Sequence, residues 1–185
     1  MEKSLFVLAV VASGCTTVAS TVPHNQKTIP DNSGIVVGRL GFVARKKMNL
    51  QKFRLAAVQV PDGARYWIHA LPGGDEDDQA GSFFVSLPPG HYRLTEWLAS
   101  AGDTEWAGED AGLAIEVLPG EAVCVGAMYM HPRERQRFRL EEGQEPATLV
   151  RDECETLGEM FRQRSPALTR AALVKVAQSV SRRRS

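Results

Sequence analysis

From Gly34 onward the chain is built of short apolar and β-branched runs cut by Pro-Gly and Asp-Gly turns, and this pattern most constrains its fold. Ile35 to Val43 is the first predicted strand. Phe53 to Val60 alternates as Phe53, Leu55 and Ala57, then meets Pro61-Asp62-Gly63, a strong turn signal, and Arg65 to Leu71 returns as a hairpin partner. Ser82 to Leu87 places Phe83, Val85 and Leu87 on one face. Pro88-Pro89-Gly90 follows, with proline presetting φ and Gly90 free to take positive φ, and His91 to Trp97 returns. Leu113 to Leu118, Pro119-Gly120, and Ala122 to Met130 repeat this logic as a further hairpin. About seven short strands with turns every eight to twelve residues or so predict a mainly β fold, an antiparallel β-sandwich.

The C-terminal third changes period. Between Pro146 and Arg164, Val150, Cys154, Leu157 and Phe161 recur at helical spacing, an apolar stripe opposite charged residues. Ser165-Pro166 then offers an N-cap and a first-turn proline for a helix from Pro166 to about Val180, burying Leu168, Leu173, Val176 and Val180. The expectation is a C-terminal helical pair packed on the sandwich, with Arg182 to Arg184 at the negative end of the last helix dipole.

The N-terminus carries an address. Lys3 precedes the apolar run Leu5 to Ala12, about eight residues long and far short of the ~20 that span a bilayer as a helix, so the run is read as a signal-peptide core. Ser13-Gly14-Cys15 follows, small residues before a cysteine, which resembles the lipobox of bacterial lipoproteins. Cleavage before Cys15 would make it the lipidated N-terminus, bound to membrane lipid by two or more chains at ~0.8 kcal/mol per buried CH₂. The alternatives are an ordinary secretory signal cut after Ala19 or Ser20 and a cytoplasmic chain with a buried N-terminal segment. Thr16 after the cysteine favours the outer over the inner membrane, facing the periplasm or the cell surface. Residues 16 to 33, rich in Thr, Ser, Asn and Pro without apolar periodicity, read as a flexible tether. The expected organisation is therefore a signal peptide over 1–14, a tether over 15–33, a sandwich over 34–131 and a helical extension over 132–185.

With Cys15 taken by lipid, Cys124 and Cys154 remain as an even pair in an oxidising compartment. A disulfide between them would close a loop of roughly thirty residues and stabilise by ~3 kcal/mol. The alternative is two buried thiols acting as small apolar side chains.

The run Phe84-Val85-Ser86-Leu87-Pro88-Pro89-Gly90-His91-Tyr92-Arg93-Leu94 resembles the Pro-Gly hairpin of transthyretin-like and carboxypeptidase-regulatory-like β-sandwiches. Val117 to Gly126, through Pro119-Gly120, is similar to the strand that follows it in bacterial lipoproteins of this type. The resemblance covers about residues 34 to 130. It implies a seven-stranded immunoglobulin- or transthyretin-like fold and a non-catalytic role, and it supplies no catalytic residues.

Chemistry-bearing patterns are sparse. His24, His69, His91 and His131 are scattered singly, without the His-Glu-x-x-His spacing of a zinc hydrolase, so neither a metal nor another cofactor is expected. Gly81-Ser82 lacks the second glycine of a nucleophile elbow. Cys124, between valines, suits an inert thiol better than a nucleophile. Asp75-Glu76-Asp77-Asp78 invites a calcium reading but misses the EF-hand spacing, and reads as a solvated loop. Lys and Arg balance Asp and Glu at 22 each, so no overall field favours nucleic acid. Trp67 and Trp97 fall in predicted strands, where core packing is common, whereas Trp106 sits in a polar stretch and is the candidate for ligand stacking. The expected function is a lipid-anchored envelope protein, not an enzyme, acting as a binding or structural module toward an envelope protein or glycan. The alternatives are a carbohydrate- or peptidoglycan-binding module and an envelope hydrolase or metalloenzyme.

Overall fold

A computed structural model describes residues 16–43, 50, 52–72, 80–108, 113–130, 149–168 and 173–175. Cys15, the Asp75 to Asp78 run, His131 and the Arg182 to Arg184 tail lie outside them. The chain is mainly β, with one α-helix among the described residues. In order it forms β1 (Thr16–Val18), β2 (Ser20–Thr21), β3 (Gly34–Phe42), β4 (Lys52–Val60), β5 (Arg65–Pro72), β6 (Ala80–Leu87), β7 (Gly90–Ala101), β8 (Thr104–Gly108), β9 (Leu113–Val117), β10 (Ala122–Met130), β11 (Leu149–Arg151), α1 (Cys154–Arg164), a 3-10 turn at Pro166–Leu168, and β12 (Leu173–Lys175).

The strands make two mixed sheets. In the first, β1, β5, β4 and β7 lie side by side, and the far edge of β7 is shared by β8 and β9. In the second, β6, β3 and β10 are neighbours, and the far edge of β10 is shared by β11 and β12. The end of β5 leaves the first sheet to pair Leu71 and Pro72 with Ser82 and Gly81 of β6, joining the two. Most pairings are antiparallel, but β1 with β5, β3 with β10, and β10 with β12 are parallel, so the expected all-antiparallel arrangement is corrected to a mixed one.

Period-two alternation placed Phe53, Leu55 and Ala57 of β4 and Phe83, Val85 and Leu87 of β6 in the core as predicted. Phe53, Leu55, Ile68, Tyr92, Leu94 and Trp97 of the first sheet meet Val36, Leu40, Phe83, Val85, Leu87 and Met128 of the second in one apolar cluster. Burying each large side chain is worth about 1.5–3 kcal/mol. Gly38 lets the second sheet close, because a Cβ there would run into the Phe83 ring and Val125.

Strand pairing departs from expectation at both Pro-Gly turns. The β4 to β5 hairpin forms as predicted, Phe53 opposite Ala70 and Val58 opposite Arg65. Leu87 and Gly90, however, end and begin strands of different sheets: β6 pairs with β3, whereas β7 pairs with β4. The Tyr92 hydroxyl donates to the Pro88 carbonyl at 2.7 Å and pins this crossover. Likewise β9 pairs with β7 and β10 with β3, so Pro119-Gly120, with Gly120 at φ +72°, also carries the chain between sheets. The tight hairpin is instead β7 to β8, turning at Gly102 (φ +56°).

Among the described residues the C-terminal region holds one helix, and the second predicted helix is replaced by a 3-10 turn and a short strand. Residues 149–151, expected to be helical, pair as β11 with Ala127 to Tyr129. Helix α1 starts where Asp152 Oδ1 accepts the Cys154 N–H at 3.1 Å, and its stripe of Cys154, Leu157 and Phe161 is buried as predicted. Glu155 in the first turn and Arg162 and Arg164 in the last complement its dipole. Ser165-Pro166 ends this helix instead of starting another, because the residue before proline is driven out of the α region. Leu173 to Lys175 then add to Ala122 to Cys124 of β10, whose open edge offers backbone partners that an isolated helix lacks.

Helix α1 covers the outer face of the second sheet, packing with Ile35, Val37, Phe84, Ala122 and Cys124. The rings of Phe84 and Phe161 stack at 6.0 Å. Residues 16–33, expected to be a tether, are largely held in place: β1 adds to β5, β2 adds to β6, and Val22 is 1% exposed. The end of α1 fastens this strap. Arg164 Nε donates to the Val22 carbonyl at 3.0 Å, Ser165 Oγ to that of Pro23 at 3.3 Å, and the Asn25 amide to the Arg164 carbonyl at 2.9 Å.

Candidate functional site

With α1 on one side of the molecule, the outer face of the first sheet is the large surface on the other. Its residues follow from the core: if Tyr66, Ile68 and Ala70 face inward, Arg65, Trp67 and His69 face out. On β4 the same alternation turns Lys52, Arg54, Ala56 and Val58 outward. On β1, Val18 lies opposite Trp67 and is 61% exposed.

Arg54 places its guanidinium carbon 4.8 Å from the Trp67 ring centroid, a cation–π contact that half-buries the indole while leaving the cation at the surface. Arg65 makes a two-pronged ion pair with Glu96 of β7, Nη2 to Oε1 at 3.0 Å and Nη1 to Oε2 at 3.3 Å. At the β7–β9 end, His91 Nε2 approaches Glu116 Oε1 at 3.9 Å. Glu96 follows Thr95 at a bulge in β7, where the register with β4 shifts between Leu55 and Ala57.

Partial burial pushes the pKa of His69 below its ordinary value, and the positive charges of Arg54 and Lys52 push it the same way. A folded-state value below the unfolded ~6.5 means that this contribution to stability is present above pH ~6.5 and is lost as pH falls through the folded value. NMR titration of the His69 ring is therefore expected to give a midpoint below that of an unstructured peptide, and Arg54→Gln to raise it. An unchanged midpoint in that variant would discount the arginine's field.

On the opposite side a second polar group fixes the start of α1. Tyr129 Oη donates to Glu153 Oε1 at 2.8 Å, Arg39 Nη1 lies 3.6 Å from Glu153 Oε2, and Arg151 covers the Tyr129 ring at 4.8 Å. Beside it, Cys124 and Cys154 are joined as a disulfide, S–S 2.08 Å and Cα–Cα 5.8 Å, inside the apolar layer under the helix.

The remaining sequence candidates do not converge. Trp106 pairs across from Ala99 on the core side, half-buried with its ring 5.1 Å from Phe42. Trp97 is in the core as expected, whereas Trp67, also expected there, faces outward. The indoles therefore do not share one exposed surface. His24 meets Arg164 at 3.1 Å, far in the fold from His69 and His91, and no group of three or more metal-ligating side chains occurs among the described residues. Sequence reasoning missed the face around Trp67 because strand alternation was applied to Phe53, Leu55 and Ala57 but not carried across the hairpin to β5. The Arg65-x-Trp67-x-His69 alternation beside Lys52-x-Arg54 was the signal available.

No protein-family model matches the chain, and no curated protein matches it. Among solved structures, a leucine-rich repeat protein from Bacteroides thetaiotaomicron VPI-5482 is similar over 56% of this chain at 13% identity, with a TM-score of 0.43. This chain spans 14% of the length of that protein, and a likeness this weak bears on neither fold nor activity.

Proposed function

We propose that the protein is a lipid-anchored component of the bacterial cell envelope, attached through Cys15, whose two sheets act as an immunoglobulin- or transthyretin-like sandwich with a non-catalytic binding or structural role. The observation that carries this reading is the Cys124–Cys154 disulfide. Structural disulfides belong to oxidising compartments, and this one leaves Cys15 as the odd cysteine of three. The shared apolar cluster between the sheets supports the sandwich.

Intact-mass spectrometry of membrane-extracted protein tests the anchor. The expected N-terminus is Cys15 carrying a thioether-linked diacylglycerol, and Cys15→Ser is expected to move the protein out of the membrane fraction. An unmodified mature N-terminus at any other residue would refute the anchor.

A further inference from the structure

We propose that the outer face of the first sheet, centred on Trp67, Arg54 and Lys52, lies flat on an anionic phospholipid surface, so that the body rests on the membrane instead of standing off it. The inference builds on the anchor at Cys15 and adds an orientation to it.

Position comes first. A tether of residues 16–33 would let the body wander, but β1 begins at Thr16, the residue bonded to Cys15, and Thr16 is in register with Arg65 of β5. Consecutive Cα atoms are about 3.8 Å apart, so lipid on Cys15 leaves the protein at the β1–β5 edge of this face. Within a few ångströms of that point the bilayer surface has this sheet beside it.

Charge points the same way. On β1, β5 and β4, the strands nearest the anchor, the outward side chains include the cations Lys52 and Arg54 and no carboxylate, while Arg65 is paired with Glu96 of β7. The outward acids Glu116 and Glu105 lie on β9 and β8, across the sheet from β1, whereas Glu96 of β7 reaches Arg65 and offsets its charge. The chain has no net charge overall, so Lys52 and Arg54 make a local cationic patch on this face. Basic groups near an anionic bilayer are attracted within a Debye length.

The third observation is chemical. Trp67, flanked by exposed Val18 and capped by Arg54, combines an amphipathic ring, an apolar neighbour and a cation, the mixture that suits the headgroup boundary. Docked in this way, the protein turns the α1 side away from the membrane, toward whatever it binds.

The test uses the full chain, extracted with its own anchor and reconstituted into vesicles carrying shallow brominated lipids. Phosphatidylglycerol-containing vesicles are compared with pure phosphatidylcholine. Flotation reads the anchor, and tryptophan quenching reads the docked face. Quenching is expected in the anionic vesicles, to weaken in high salt or without phosphatidylglycerol, and to vanish in Trp67→Phe, since Trp97 and Trp106 face the core. Lys52→Gln/Arg54→Gln is expected to lower the docked-to-undocked ratio about 25-fold, about fivefold per cation. The salt series needs no variant, so it decides even if that one misfolds. Flotation without quenching, or quenching that ignores lipid charge and salt, overturns the docking and returns the face to a protein or glycan partner. Failure to float overturns the anchor, and the docking falls with it.

Discussion

Replacing Phe42 with alanine is expected to destabilise the protein by about 3–5 kcal/mol, the range for removing a fully packed phenylalanine. Phe42 is 4% exposed at the end of β3 and touches three aromatic rings of the other sheet: Phe53 at 6.2 Å, Trp97 at 6.0 Å and Trp106 at 5.1 Å. Those rings come from β4, β7 and β8, so one side chain spans the junction of the sheets at this end. The cavity would have rigid rings for walls, which cannot all collapse at once. Urea unfolding should show the loss as a lowered midpoint with an unchanged slope, and tryptophan emission should shift red as Trp106 loses its cover. Phe42→Leu keeps most of the volume and should cost less than about 1.5 kcal/mol. A loss below about 1 kcal/mol for the alanine variant would mean that the sheets do not meet there as described.

Removing the disulfide should have a comparable effect. Cys124 and Cys154 are 30 residues apart, and freeing a loop of that length returns about 3–4 kcal/mol of entropy to the unfolded chain. The double variant Cys124→Ala/Cys154→Ala is expected to melt about 10 °C lower, given the slope for a domain of this size. The effect should reach past the sulfurs. Cys154 is the first residue of α1, and it holds in place the stripe that presses Leu157 and Phe161 against the second sheet. Trypsin should therefore cut faster at Arg162 and Arg164 in the variant, and in the wild type under reductant. A midpoint within about 2 °C of wild type would show that apolar burial holds the helix without the bond.

The local code of this chain was legible wherever a short-range pattern sufficed. Alternation along β4 and β6 named inward residues, the Pro61-Asp62-Gly63 turn named a true hairpin, and the spacing of Cys154, Leu157 and Phe161 named the buried face of a helix, whereas β3 and β10, buried on both faces, carry no alternation to read. Pairing was less legible. Pro88-Pro89-Gly90 reverses the chain equally well within a sheet or between two, and alternation says which way a side chain points without saying which strand lies beside it. The strand partners of β6 and β7 are set by which edges were free once the whole sheet had formed. The same holds for Leu173 to Lys175, read from the sequence as part of a second helix but paired with Ala122 to Cys124 at the edge of β10.

The site was hidden for a related reason. Trp67, Arg54 and Lys52 lie on different strands, and only the register of β4 against β5 brings them together. Thr16 to Val18 carry no periodicity, so nothing local distinguishes them from a linker. They are ordered because the edge of β5 offers unpaired backbone groups in register. The sequence by itself determined the β-rich composition of the body, the inward faces of β4 and β6, the helix and its buried cysteine. Only the tertiary structure decided which sheet each strand joined, that the segment after Cys15 is a strand, and that a cationic aromatic face stands beside it. Side-chain burial is encoded by spacing along one chain, whereas pairing and surface assembly depend on which distant edges remain open.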